Sequence, residues 1–402
     1  MKQIIIINRY YPPNPAISGN SACEMVQELS KRNNCLKLMI RYIHAPYAGG
    51  RSSIESPGVL GGMSSIYNGK NKIFRFIGNF IEGYRLVRMS LPYADAIFTL
   101  TDPPLLNFWA GLLCAKRKIP WIYWALDLYP EAFAAAGIVS RTNFCYRQIN
   151  HVVQSHPPDF LIALGMQQAK YLKTKFQTDI PFAQLPCGII QPSKNKMPPD
   201  WHDKNKIVFA YVGNMGEAHD PEFLIQLTLN MDPDHHICLL SLYGAKSEIV
   251  LSAVRNHKSV RLMDHIPQAH LSYIDIHLVS LLPDWTHICV PSKAVSAICS
   301  GGAIAFQGEF NSDTWQMFHS AAFYVGPSKY PKKMIQDIKT MLQSCRSSSN
   351  LQNKCEQAQR YRDKLFDMKQ TAYDSIASYL ARSIKPASTQ PIRQKLPTIQ
   401  TN

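Results

Sequence analysis

The sequence predicts an α/β protein made of two doubly wound parallel sheets that face each other across a cleft. Three observations carry that prediction. Short apolar runs alternate with segments of helical spacing along nearly the whole chain, the pattern of an open parallel sheet. The alternation halts in a stretch rich in Pro, Lys and Asn around residues 186–206 and then restarts. At 402 residues the chain has the length of two or three domains, each able to bury its own core.

The first strand is the apolar run at residues 2–7, closed by the breaker-rich NRYYPPNPAISG. Residues 21–32 space Met25, Val26 and Leu29 on one helical face, and 35–43 read as the next strand. Residues 51–67, rich in Gly and Ser, read as a mobile loop. A helix at 70–91, a strand at 95–101, a helix at 107–118 and a strand at 120–128 follow. Beyond the break come a strand at 207–212, a helix at 221–230, a strand at 236–243, a short helix from Ser247 and strands at 260–263 and 277–281. We therefore expect a Rossmann-like domain over 1–190, a linker over 191–205 and a second such domain over 206–365. A C-terminal helix over 366–382 should return to the first domain, and the polar, proline-bearing residues 383–402 should form a disordered tail.

Composition narrows the function. Hydrophobic residues make up 46% and charged residues 18%, which excludes a disordered chain. No apolar run reaches the 18 or so residues of a bilayer-spanning helix. The apolar start is too short for a signal-peptide core and is followed at once by Asn8 and Arg9. The expected location is the cytoplasm, extending to the inner face of the membrane. The ten cysteines form no CxxC or zinc spacing, and no HxxH or HExxH occurs, so reduced thiols and no metal site are expected. Net charge is +15, with 20 Lys+Arg against 10 Asp+Glu in residues 1–190 and 23 against 18 in the rest. A basic first half favours anionic partners. Without a helix-turn-helix, an RNP signature or interleaved basic and aromatic runs, nucleic acid is not expected among them.

Three segments carry candidate chemistry. In YVGNMGEAHD (211–220), Gly213 and Gly216 let backbone approach a ligand closely, Asn214 lies between them, and the following helix offers free N–H groups that suit a diphosphate. A tight strand-to-helix turn without ligand explains the glycines equally well. His219 in this loop can hydrogen-bond a phosphate or a sugar. In CVPSKAVSAICSGG, Ser292 and Lys293 occupy the first turn of a helix, where a lysine opposes the dipole unless an anion sits there. In YWALDLYPEAF, Asp127 and Glu131 end a strand, where a carboxylate serves as a base, orients a hydroxyl or caps the next helix. Residues 70–91 align Ile73, Phe76, Ile77, Phe80, Ile81 and Tyr84, flanked by Lys70, Lys72, Arg75, Arg85 and Arg88. A face packed on the core is the preferred reading, with docking on an anionic membrane as the other.

Together these segments resemble the family-four GT-B glycosyltransferases, closest to the branch that builds O-antigen, capsule and exopolysaccharide. TDPPLLNFWAGLLCAKRKIPWIYWALDLYPEAFAAAGI is similar to that branch's Ser-Pro-Pro helix and Asp-Leu-Trp-Pro-Glu motif. FLIALGMQQAKYL, YVGNMGEAHD, VRLMDHIPQAHLSYI and VPSKAVSAICSGG resemble its later signatures, in the same order. The resemblance implies transfer of a sugar from a nucleotide-diphosphate donor to a glycan or polyprenyl-linked acceptor, with retention, no cofactor and no obligatory metal. It places Gly213, Asn214 and Gly216 near the donor phosphates, Ser292 and Lys293 at the diphosphate and Gly19 in a loop under the donor sugar. Asp127 and Glu131 fall on the acceptor side, so Asp127 and Lys293 are the expected catalytic pair. Ser296 stands where the family commonly carries a donor-binding glutamate, and Glu217 where it often carries arginine. Two alternatives share the architecture: a protein that binds a glycan, nucleotide or partner enzyme without transferring sugar, and a sugar-nucleotide epimerase.

Overall fold

The computed structural model describes residues 1–14, 16–44, 59–69, 71–191 and 197–383. In its first half, β1 (Lys2–Ile7), α1 (Ile17–Arg32), β2 (Leu36–His44), β3 (Val59–Ser64), α2 (Lys72–Ser90), β4 (Ala96–Thr99) and α3 (Leu106–Arg117) come first. They are followed by β5 (Trp121–Ala125), α4 (Glu131–Ala135), α5 (Phe144–Ser155), β6 (Phe160–Ala163), α6 (Met166–Phe176) and β7 (Phe182–Gln184). The strands form one parallel sheet ordered β3-β2-β1-β4-β5-β6-β7. The second half supplies β8 (Ile207–Asn214), α7 (Pro221–Leu229), β9 (His236–Tyr243), α8 (Ser247–Val254), β10 (Val260–Leu262) and β11 (Ile276–Ser280). It ends with α9 (Ser292–Ser300), β12 (Ala303–Gln307), α10 (Asp313–Phe318), β13 (Ala322–Val325), α11 (Pro331–Cys345) and α12 (Ser348–Ser383). Its sheet is parallel too, ordered β10-β9-β8-β11-β12-β13.

Burial explains the strand order. The isoleucines at 4 to 7 are fully buried on both faces of β1, as a central parallel strand requires, and Val208, Phe209, Ala210 and Tyr211 do the same for β8. One polar device recurs in both sheets. Asp95, Asp159 and Asp275 each stand just before a strand and accept an N–H from the first or second residue of the neighbouring strand, Gln3 (2.7 Å), Trp121 (2.8 Å) and Val208 (2.8 Å). Each aspartate N–H in turn donates to the same residue's carbonyl, so the pair fixes register at the strand entrance.

The halves are joined into one body. A buried apolar cluster runs from Ile5 and Tyr123 through Leu128, Trp285 and Ile288 to Val295 and Phe306. Asp313, almost fully buried at the start of α10, accepts the N–H groups of Gln167 and Gln168, both at 2.8 Å. A carboxylate from the second half thus caps α6 of the first, since α6's own N-terminal Gly165 offers no side chain. The 36-residue α12 packs Ala358 and Leu365 near the second sheet, then lays Tyr373, Ile376 and Leu380 into the core beneath α1.

Three expectations are corrected. Within the expected loop at 51–67, residues 59–64 form an edge strand paired with β2, with Gly61 at φ +124°; 51–58 lie outside the described residues. The C-terminal helix begins at Ser348 and not near 366, and the expected tail beyond residue 383 lies outside the described residues, as does part of the linker (192–196).

The third correction concerns α2. Ile73, Phe76, Ile77, Ile81 and Tyr84 do not face the core; all are exposed, as is Phe74, while Phe80 is half-buried. The inward face is set by Glu82, which accepts from Ser65 Oγ (2.7 Å) and the Ile66 N–H (2.8 Å) and pairs with buried Arg9. Gly83 brings the helix against Trp109, whose Nε1 donates to the Phe80 carbonyl at 2.8 Å. A buried ion pair and a close glycine contact orient this helix against its apolar stripe.

Candidate active site

The C-terminal ends of β5, β8 and β11 converge on a cleft of about 600 Å³ between the two sheets, where open α/β folds place their ligands. The first half contributes Ile17, Asp127 and Tyr129 to its walls, and the second half the loop after β8 and the start of α9.

That loop is shaped by glycine. Gly213 adopts φ +117°, which an L side chain rarely tolerates, as β8 runs to its end beside β9. Gly244 at the end of β9 has φ +110°, and a Cβ there would collide with Asn214 Oδ1. Asp220 then caps α7 by accepting the Glu222 N–H at 3.0 Å, and Lys246 ties the loop down by donating to the carbonyls of Glu217 (2.7 Å) and His219 (3.0 Å). The Glu217 carboxylate lies 3.8 Å from the same ammonium, which offsets its negative charge.

The N-terminus of α9 points its dipole at the cleft. Pro291 precedes it and no side chain caps it, so its first N–H groups are available. Lys293 in that first turn donates to the Asn214 carbonyl (3.1 Å) and to the Tyr211 hydroxyl, and its Nζ stands 3.8 Å from the centre of the Tyr211 ring. Among the described residues it pairs with no carboxylate, and burial pushes its ammonium well below the usual lysine range. His219 Nδ1 meets the Ser280 carbonyl at 2.7 Å; burial and the nearby Lys293 charge hold the imidazole down to about 3, so it is neutral at pH 7.

On the opposite wall, Asp127 is open to the cleft. Desolvation between the two halves, and then the charge of Asp102, push its carboxyl up to about 7. A side chamber of about 290 Å³ continues from Asp127 past Ser18, Thr101 and Asp102, with Ser18 Oγ donating to Asp102 Oδ2 at 3.0 Å.

The cleft therefore gathers Asp127, Gly213, Asn214, Gly216, His219, Ser292, Lys293 and Ser296. Two expected residues are placed elsewhere. Gly19 lies inside α1 and not in a loop, where its hydrogen fits 3.1 Å-close packing against the Tyr10–Tyr11 backbone; Ile17 and Ser18 reach the cleft region instead. Glu131 does not line the cleft: it is buried, paired with Lys175 and accepts from Tyr171 at 3.1 Å, a structural role. Ser296 lines the cleft but donates to the Gly188 carbonyl at 2.9 Å, clamping the chain crossing onto α9. The sequence reading missed Tyr211, Lys246 and Asp102. Lys246 had a weak signal, a glycine at a strand end two residues before a lysine, whereas Asp102 sat unread inside TDPP.

Two Rossmann-like domains closed on a cleft, with a helix N-terminus and a glycine loop at its centre, define the GT-B architecture, and the chain has that fold. No family model matches it. It is 22% identical over 217 residues to the probable glycosyltransferase WbjE of Pseudomonas aeruginosa, a match spanning 50% of this chain and 54% of WbjE, so about half of that relative's length. Among solved structures it is similar to sucrose-phosphate synthase of Thermosynechococcus elongatus (12% identity, TM-score 0.67, 95% of this chain and 98% of that one). It is also similar to WaaG, a glycosyltransferase involved in lipopolysaccharide biosynthesis (13%, 0.63, 92% and 98%), and to Anabaena HepE solved with UDP-glucose (11%, 0.62, 94% and 100%).

Proposed function

We propose that the chain is a retaining glycosyltransferase that takes a nucleotide-diphosphate sugar and passes the sugar to a glycan or polyprenyl-linked acceptor in cell-surface polysaccharide assembly. The observation that carries this reading is the Lys293 ammonium, unpaired with any carboxylate among the described residues, at the open N-terminus of α9. The likeness to WbjE, to WaaG and to HepE with its bound UDP-glucose supports it. When the bond from the anomeric carbon to the diphosphate oxygen breaks, negative charge grows on the leaving group. A fixed ammonium and the first N–H groups of α9 stabilise that charge more than they stabilise the bound donor. Asp127 orients the incoming hydroxyl toward the same face of the anomeric carbon that the diphosphate leaves, so that configuration is retained, and accepts its proton as the new glycosidic bond forms. Neutral His219 adds no competing charge, and with Nδ1–H given to the Ser280 carbonyl its Nε2 is left as an acceptor suited to a sugar hydroxyl.

With this ammonium and these N–H groups compensating the leaving group, no metal is required in this reading, and transfer should proceed unchanged in excess EDTA. The acceptor side suits a membrane-borne substrate, because α2 exposes an apolar face beside Arg75, Arg85 and Arg88. The first experiment is thermal unfolding with nucleotide diphosphates and nucleotide sugars. A ligand at 100 times its Kd should add about 2.7 kcal/mol of stability. A second reading, binding without transfer, is favoured by Ser296, whose hydroxyl is already engaged and which brings no carboxylate to the sugar. Detection of a transferred sugar from any donor that binds would eliminate it.

A further inference from the structure

The Lys293 ammonium poses a physical problem. It is half-buried at the cleft wall with no carboxylate partner among the described residues, and an amine in that position loses its proton more easily unless something replaces the lost solvation. A carboxylate would do so, but it would also neutralise the charge that the leaving diphosphate needs. The structure supplies a third solution in Tyr211. This residue is fully buried within β8, and the centre of its ring lies 3.8 Å from the Lys293 nitrogen. Its hydroxyl donates to the Asn214 carbonyl at 3.0 Å, which leaves the phenol oxygen free to accept from the ammonium, while that same carbonyl accepts from Lys293 at 3.1 Å.

We propose that Tyr211 is a positioning residue: its ring face and hydroxyl oxygen, with the Asn214 carbonyl, form a neutral cradle that holds the Lys293 ammonium in place for the donor diphosphate. The ring quadrupole and oxygen dipoles solvate a cation without cancelling it. Burial keeps the phenol itself far from ionising, so it cannot become the missing counter-ion. The other titratable groups around Lys293 preserve the arrangement. Neutral His219 comes from the glycine loop, the Cys289 thiol is raised by burial, and Glu217 is held by Lys246. Asp127 stands on the other wall of the cleft.

This inference rests on the proposed donor site, and the test separates the two. Binding of UDP, GDP and ADP and of their parent nucleosides is measured by calorimetry for the wild type, Tyr211→Phe and Tyr211→Leu, with thermal unfolding checking that each variant folds. Nucleosides lack the phosphates, so they report the pocket without the ammonium's charge. Tyr211→Leu should weaken the preferred diphosphate by about tenfold, the scale of a desolvated cation–π contact, and leave its nucleoside within about twofold. Tyr211→Phe, which keeps the ring, should recover most of that loss. Equal weakening of diphosphate and nucleoside, or no weakening of either, would overturn the role assigned to Tyr211. A wild type that binds none of the three diphosphates would overturn the donor site itself. Should Tyr211→Leu fail to fold, Tyr211→Met takes its place with the same expectation, and an unchanged ratio of diphosphate to nucleoside affinity in that variant refutes the proposal.

Discussion

Lys293 and Asp127 face each other with opposite demands. In the proposed reaction the half-buried lysine must stay charged, and the aspartate must lose a proton that its surroundings favour keeping. Replacing Lys293 with alanine should raise the transfer barrier by about 2–4 kcal/mol, read as turnover of a bound donor, because the proposed leaving group then lacks the Lys293 ammonium. For Asp127 the sign is set by its raised value of about 7. Between the ordinary carboxylate range and 7 the folded state holds a proton that the unfolded chain has released. Its ionisation therefore lowers stability as pH rises through that window. Transfer, which needs the ionised form, should rise over the same interval and level off above it. Asp127→Asn should remove this acid limb from the pH–rate profile; a limb that persists would assign it to another group.

Elements are placed here by polar contacts as much as by apolar pattern. Asp313→Ala leaves one buried and one part-buried N–H group of α6 without an acceptor, so it should cost about 1–3 kcal/mol in urea unfolding. The strands β1, β2, β4, β5 and β8 to β11, and the helices α1, α2, α3, α7 and α8, were legible in the sequence, because alternating apolar runs and breakers report local burial directly, whereas β6, β7, β12 and β13 were not singled out. Tyr243 and Ser247 sit where the pattern set the ends of β9 and α8. What failed required knowledge of distant partners. The stripe on α2 read as a core face because nothing local reveals that Glu82 would meet Arg9, 73 residues away. The edge strand β3 was hidden by Gly61 and Gly62, which weaken a strand signal without preventing pairing. In the site, glycines and the helix start were visible as motifs, whereas the uses of Tyr211, Ser296 and Glu131 depend on contacts with other elements.

The whole molecule is polar in its organisation. Its basic half exposes the α2 stripe, and no helix among the described residues is long and apolar enough to cross a membrane. If this stripe docks on anionic lipid, the pair Phe74→Glu and Ile77→Glu should abolish co-sedimentation with anionic vesicles. Both side chains are exposed, so stability should change by no more than about 0.5 kcal/mol per site. Retained co-sedimentation would point to charge alone, without insertion of the stripe.

The carboxylate of Asp313 gives this two-lobed body a mechanical property. Helix α6 borrows its cap from across the divide, so any swing wide enough to stretch those bonds uncovers bare amides and must find water for them. Small rocking is free of that charge, whereas large gaping meets a threshold. Such a detent would let the mouth breathe for ligand exchange while returning both jaws to one registered bite after each cycle.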